Sequence, residues 1–312
     1  MADHAHAKGG HSHTHATVTE DTDARRLTIA LALIAAFMAV EVVVGILVHS
    51  LALLSDAAHM LTDAGALALS LVVIRLAARP AAGNRTFGLK RTEVLSAQAN
   101  GATLFVLGAL IVYEGVHRLI APPPAGGTAI LVVALVGIVV NLFATRQLSK
   151  ANRESMNIEG SFQHILTDLL AFVFTAIAGA VILFTGFTRA DGIASLIIAA
   201  IMLRAAYGLL KDSGRVLLEI APEGMHVADI GQEMARFPGV AEVHDLHVWE
   251  VASGFPSLSA HVLVGEDEDC HGIRRELERM LDDRFKIDHT TLQVDHRGEE
   301  RLLQIGTAGP PT

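Results

Sequence analysis

Little in this chain can cross-link it. Cys270 is the single cysteine among 312 residues, which excludes an intrachain disulfide framework, a CxxC redox site and a cysteine-rich zinc fold. Charge is scarce too. Asp, Glu, Lys and Arg make up 18% of the residues, against about a quarter in a soluble globular chain. That is too few to cover a water-soluble enzyme of this length. Basic residues are outnumbered, and the net charge of −9 leaves nucleic acid no basic face to bind. Aromatic residues reach only 5%. What is abundant is aliphatic: 51% of residues are hydrophobic and the mean hydropathy is +0.44, which also excludes disorder as the main class. Beside them stand 16 histidines. The composition describes a membrane protein in which histidine has work to do.

A helix needs about 20 mostly apolar residues to span the hydrocarbon core. Six stretches qualify: Leu27 to Val48, Leu51 to Leu76, Val94 to Ile120, Thr128 to Leu148, Phe162 to Phe184 and Asp191 to Leu210. The N-terminus is polar and His-rich and does not read as a secretory signal. Arg25, Arg26, Arg75, Arg79, Arg85, Lys90, Arg91, Arg146, Lys150, Arg153, Lys211 and Arg215 fall on one side of the spans. Arg118 and Arg189 fall on the other. Positive charge stays inside, so both termini are expected in the cytoplasm, with the Pro122-Pro123-Pro124 loop outside. The protein is expected in the cell's inner or plasma membrane.

Beyond Leu210 the apolar runs become short. Val227 to Phe237 reads as an amphipathic helix. Val240 to Val251 and Leu258 to Val264 alternate as strands about Ser253-Gly254, Cys270 to Phe285 has helical spacing, and Thr290 to Val294 is a third strand. The order αββαβ predicts a small ferredoxin-like α+β domain with its helices on one sheet face. The expected organisation is therefore a His-rich cytoplasmic tail (1–24), a six-helix membrane domain (25–212), a cytoplasmic ferredoxin-like domain (213–297) and a loose tail (298–312).

An ionisable group near the bilayer centre costs about 2.5–3.5 kcal/mol on insertion scales, so each one calls for a reason. The second span carries Asp56, His59 and Asp63; the fifth carries His164 and Asp168. His59/Asp63 and His164/Asp168 are i,i+4 pairs, each on one helix face. One such pair can serve merely to hydrogen-bond a neighbouring helix. Two copies of HxxxD on separate spans point to a metal. Two imidazoles and two carboxylates make a tetrahedral cage suited to zinc. Such ligands bind metal only when deprotonated, so uptake releases protons. With alternating access, the cage becomes a proton/metal exchanger.

The run from His49 through Ser55-Asp56-Ala57-Ala58-His59 to Thr62-Asp63 strongly resembles the second span of the cation diffusion facilitators. Further matches are Arg85-Thr86-Phe87-Gly88, Asn141, Gln163-His164-Ile165-Leu166-Thr167-Asp168, Leu218-Glu219-Ile220-Ala221-Pro222 and Val243-His244-Asp245-Leu246-His247-Val248-Trp249. The similarity covers about residues 27 to 296 and looks closest to bacterial zinc, cobalt and cadmium efflux transporters. It implies a metal/proton antiporter, a homodimer in the lipid bilayer, and a transport site at His59, Asp63, His164 and Asp168. Zn(II) is then the cargo, with Cd(II) or Co(II) as further cargo and no organic cofactor. Some members hold a second metal between the second and third spans. Residues 79–91 have no Asp or His, so none is expected there.

The resemblance also implies a regulatory zinc site at His244, His261 and Asp295. Gln293 stands where one relative has histidine, and His247, His271 and His289 are possible substitutes. Ordinary hydrogen-bonded histidines would account for some of these. In the N-terminal tail, His4, His6, His11, His13 and His15 suit a metal collector or a dispensable tail. With Met1 removed, Ala2-Asp3-His4 offers a square-planar set for Cu(II) or Ni(II). Asp56 is expected beside the cage rather than in it. Glu41, Asn100 and Asn141 either line the path or bond helices together, and Asp191 is expected to cap the sixth span.

Two other classes compete with transport. An intramembrane metalloenzyme would need an open coordination position and a base, typically in HExxH, and neither that motif nor GxSxG occurs. A membrane-bound zinc sensor suits the soluble domain and the tail, but has no need of a cage within the spans.

Overall fold

The computed structural model describes residues 14–47, 51–121 and 127–297, and of residues 14–21, 45, 51–56, 58, 59, 127, 129 and 130 the backbone alone. Six long helices come first: α1 (Thr14–Leu47), α2 (Leu51–Ala77), α3 (Thr92–Ile120), α4 (Gly127–Leu148), α5 (Met156–Thr185) and α6 (Ala190–Leu217). All six are long and apolar enough to cross a membrane. They outrun the apolar stretches where the backbone continues past the hydrocarbon. Thus α1 begins at Thr14 rather than Leu27, and α5 at Met156 rather than Phe162. Hydropathy reports the thickness of the bilayer, while intrahelical hydrogen bonds continue into the headgroups and water. Helix α5 stops at Gly186, whose φ of +72° suits a residue without Cβ and whose N–H bonds the Ile182 carbonyl.

The chain divides into two compact units between Ser213 and Gly214. In the first, α1, α2, α4 and α5 share a core that includes Leu27, Ile34, Met60, Leu67, Leu148 and Ile165. Helices α3 and α6 close on Leu104, Met202, Ala206 and Leu209. The approach is close because Gly101, Gly108 and Gly115, seven residues apart, receive Leu210, Leu203 and Leu196, also seven apart. Small residues at such seams let backbones approach within a bilayer, where packing replaces the hydrophobic effect. Outward-facing Val40, Leu110, Tyr113 and Phe184 stay exposed, as lipid-facing positions should.

The second unit contains α7 (Val227–Ala235), β1 (Val240–Glu250), β2 (Pro256–Val264), α8 (Cys270–Phe285) and β3 (His289–His296). The αββαβ order read from periodicity is the order observed. The strands form one sheet, β1-β2-β3, with β1 and β2 antiparallel and β2 and β3 parallel through the α8 crossover. Leu258, Ala260 and Val262 alternate inward on β2 and join Ile230 and Met234 of α7 and Leu277 and Leu281 of α8. The helices therefore cover one face, and the alternate residues of the strands face the other way.

Candidate metal centre

The candidate centre is assembled from two helices. Asp63 lies in α2, and His164 and Asp168 stand one turn apart in α5; all three are buried. One ligand atom from each lies within 4.8 Å of the others. His164 Nε2 is 2.7 Å from Asp63 Oδ1 and 3.9 Å from Asp168 Oδ2. A tetrahedral zinc with bonds of about 2.0–2.1 Å sets its ligand atoms about 3.3 Å apart, a value these two distances bracket. Among the described residues, no other group of three or more His, Cys, Asp or Glu side chains converges in this way. His59 belongs to the α2 backbone one turn before Asp63, but its side chain lies outside the described residues, as does that of Asp56.

Toward the C-terminal end of α2 and the N-terminal end of α5, the two helices are tied by polar side chains that sequence reasoning had not singled out. Asn157 Nδ2 donates to the Ser70 carbonyl at 3.0 Å, and the Ser161 and Ser70 hydroxyls are 2.7 Å apart. All three residues are buried. Their signal was there to read: Ser70 is seven residues from Asp63, and Asn157 and Ser161 are seven and three from His164, so each shares a helix face with a candidate ligand. Arg153 donates twice to Glu159, at 2.7 and 3.0 Å, and its guanidinium sits 3.9 Å above the Phe162 ring. Gln163 donates to the same carboxylate at 2.6 Å. Buried Asp23 of α1 accepts the Asn152 backbone N–H at 3.1 Å, fixing the turn before α5.

The remaining intramembrane polar groups divide. Glu41 of α1 and Asn100 of α3 are buried, and Asn141 Nδ2 donates to the Gly137 carbonyl of its own helix at 3.1 Å. Asp191 does not act chiefly as a cap. It lies in the first turn of α6 and receives Arg118 Nη1 of α3 at 2.5 Å, while Arg118 Nε donates to Glu114 at 3.0 Å. The other basic residue at this end, Arg189, donates to the Leu119 carbonyl at 3.2 Å. Cations there are spent on joining α3 to α6. Residues 79–91 contain a narrow turn bridged between Ala82 and Arg85 and no ligand cluster.

In the second unit, His244 and His261 are cross-strand partners on β1 and β2, with ring centroids 5.4 Å apart, edge to face. Between His244 and His247 the register shifts: three steps along β1 match two along β2, from His261 to Ser259. The extra residue falls within Asp245-Leu246, and Asp245 has φ +51°. This bulge puts His244, Asp245 and His247 on the exposed face together while Val243 and Leu246 turn inward. Asp245 Oδ1 is 2.9 Å from His247 Nε2, and Oδ2 is 4.0 Å from His261 Nε2. The hydrogen bond with His247 holds the Asp245 carboxyl below its ordinary value of 3.8. Asp295 is paired in register with Leu263 rather than with a histidine and accepts Gln293 Nε2 at 2.8 Å. His244, His261 and Asp295 thus share a sheet face without forming a closed three-ligand set. His289 opens β3 against the Phe255 ring, and His271 sits in the first turn of α8. The N-terminal histidines 4, 6, 11 and 13, the side chain of His15, the Pro122–Pro124 loop and the tail from 298 lie outside the described residues.

Six membrane helices, a buried carboxylate–imidazole–carboxylate cluster between two of them and a small α+β domain define a polytopic membrane protein with a metal-type site within its spans. Comparison with known proteins carries this further. Residues 27–218 match the model of the cation efflux transmembrane domain, and residues 222–297 match that of the cation efflux protein cytoplasmic domain. The metal cation efflux system protein CzcD of Cupriavidus metallidurans is 42% identical over 291 residues, covering 92% of this chain and 90% of that protein. The zinc transporter ZitB of Escherichia coli is 38% identical over 304 residues, covering 96% and 97%. The cadmium, cobalt and zinc/H(+)-K(+) antiporter of Bacillus subtilis is 36% identical over 302 residues, covering 94% and 95%. This chain belongs to the cation efflux, or cation diffusion facilitator, family of metal transporters.

Proposed function

We propose that the protein exports Zn(II), with Cd(II) or Co(II) as further cargo, from the cytoplasm in exchange for protons. His59, Asp63, His164 and Asp168 form the transport site, and access to it alternates between the two sides of the membrane. The observation that carries this reading is the convergence of Asp63, His164 and Asp168 within 4.8 Å, buried among membrane helices. An intramembrane charge cluster is costly unless it is used, and imidazole with carboxylate is a zinc-type donor set. The CzcD, ZitB and Bacillus relatives carry efflux, zinc transport and antiport in their names.

Proton exchange follows from the ligands. The metal-loaded site holds neutral imidazole and ionised carboxylate, so loading displaces protons, and reprotonation on the far side releases the metal. The protein acts as a homodimer in the inner or plasma membrane, with both termini, the tail 1–24 and the domain 213–297 in the cytoplasm. A regulatory zinc at His244, His261 and Asp295 links the soluble domains, with Asp245 and His247 beside it. Coupling to transport requires that each metal site alter the affinity of the other.

The test is zinc flux into proteoliposomes of purified protein under a pH gradient, comparing wild type with Asp168→Ala. Gradient-driven uptake that disappears in the variant supports exchange through this site. Uptake indifferent to the gradient would replace exchange with a facilitated pore. Folded, zinc-binding protein that moves no zinc would make it a sensor.

A further inference from the structure

Below the cage, where α2 ends and α5 begins, a second group of buried polar atoms is left without partners. Ser96 Oγ and Asn100 Nδ2 of α3 and Asn157 Oδ1 of α5 carry no hydrogen bond within the protein, and each residue is at most 2% exposed. Ser96 and Asn100 are i,i+4 on one face of α3. That face meets α5 at Gly160, where a Cβ would come 3.3 Å from Asn100 Nδ2 and 3.8 Å from the Ala97 Cα. Asn157 lies three residues before Gly160, and its Nδ2 is already engaged with Ser70 of α2. Three helices therefore meet around polar atoms that have nothing to bind. Buried polar groups in folded proteins find partners, because one left alone keeps the full penalty of losing its water. Helix-to-helix bonding does not account for these three, since the Ser70–Asn157–Ser161 contacts already perform that job.

We propose that Ser96, Asn100 and Asn157 line a hydrated waypoint for the divalent cation between the cytoplasmic surface and the cage, a reading that rests on the transport function above. Ser161 and Asn157 lie about 4.5 and 10 Å along α5 from His164, so the waypoint is one to two turns from the site. Its donors suit a cation that keeps its inner water shell. Ser96 Oγ and Asn157 Oδ1 accept hydrogen bonds from metal-bound waters, and Asn100 Nδ2 donates to a water beyond them. The carboxylate in the first turn of α5, Glu159, is taken by Arg153 and Gln163. Neutral lining stabilises the passing ion without trapping it, the balance that conduction requires. Stripping the last waters is left to the imidazole and carboxylates of the cage.

A waypoint changes rates and leaves the end-point affinity alone. The test is stopped-flow zinc loading and release with the full chain in lipid nanodiscs, beside equilibrium zinc titration. Asn100→Leu and Asn157→Leu should slow loading and release together by about tenfold or more, with the zinc Kd within about twofold of wild type, because one barrier serves both directions. Asn100→Ser and Asn157→Ser should restore the rates. Ser96→Ala, the mildest change, should slow both rates by a smaller common factor and covers the case in which a leucine variant does not fold. Unchanged rates in folded variants would overturn the waypoint. So would a Kd that weakens in step with the loading rate, which would assign these residues to holding the cage. Wild-type protein that binds no zinc would overturn the transport reading along with this one; wild type that transports while the variants load at its rate would overturn this inference alone.

Discussion

Replacing Gly137 with alanine would drive a methyl group into the Phe172 ring. A Cβ at this position of α4 would lie 2.5 Å from both Cδ1 and Cε1 of Phe172 and 2.8 Å from Cγ. Carbon atoms in contact sit about 3.5–4.0 Å apart, so the ring would have to retreat by about 1 Å. It has little room, because Phe172 stands edge to face with Phe37 of α1, centroids 6.5 Å apart, against the core of the four-helix group. Overpacking of this kind costs about 1–3 kcal/mol, offset by up to about 1 kcal/mol of helix propensity gained from Gly→Ala. Gly65→Ala in α2 supplies the reference, since nothing lies within 4 Å of its added Cβ and only the propensity gain applies. The two alanine variants should therefore differ by about 1–3 kcal/mol, with Gly137→Ala the less stable. Thermal unfolding of both in the same detergent reads that difference. Gly137→Ala/Phe172→Leu should recover most of the loss, because the two side chains share one space. If Gly137→Ala melts at or above Gly65→Ala, the account of packing between α4 and α5 is wrong.

Two further outcomes follow from the metal-type groups. If His59 is a ligand as proposed, His59→Asp makes the set richer in oxygen and should improve competition by Mn(II) against Zn(II) by on the order of tenfold; an unchanged competition curve would defeat the ligand-softness argument. In the second unit, Asp245 is held below its ordinary carboxyl value by the hydrogen bond with His247. A depressed folded value means that this pair stabilises the domain above about pH 4 and that its contribution is lost as the pH falls through the folded value. Carboxyl NMR on the full chain should show His247→Ala returning Asp245 toward 3.8, and an unmoved titration would remove His247 as the cause.

What the sequence revealed depended on whether the signal was periodic. Apolar runs of bilayer length located all six spans, and alternation on Leu258, Ala260 and Val262 located β2, because both patterns are imposed on every residue of an element. The i,i+4 spacing of His164 and Asp168 likewise announced a shared face. Contacts between elements were harder to foresee. Nothing local to Asp191 says that Arg118, 73 residues away, will claim its carboxylate, so a helix cap looked the better use for it. The Ser70–Asn157–Ser161 tie was hidden for another reason: serine and asparagine within an apolar span read as ordinary tolerance until the opposing helix is in place. The ends of α1 and α5 were missed because hydropathy measures where water begins rather than where the backbone stops being helical.

The bulge in β1 bears on how such a domain can change over generations. Asp245 and Leu246 together stand opposite the single residue Ala260, so the strand without Asp245 would read Val243, His244, Leu246, His247, Val248, still alternating inward and outward. Loss of a single codon there would remove a carboxylate from among the histidines while leaving every neighbour on its original face. Gain of one codon would restore it. Most indels within a strand scramble everything downstream, but at this position the reading of the sheet survives. The hairpin can thus acquire or shed a carboxylate in one mutational step, and the chemistry of its exposed face can drift independently of the core that holds it up.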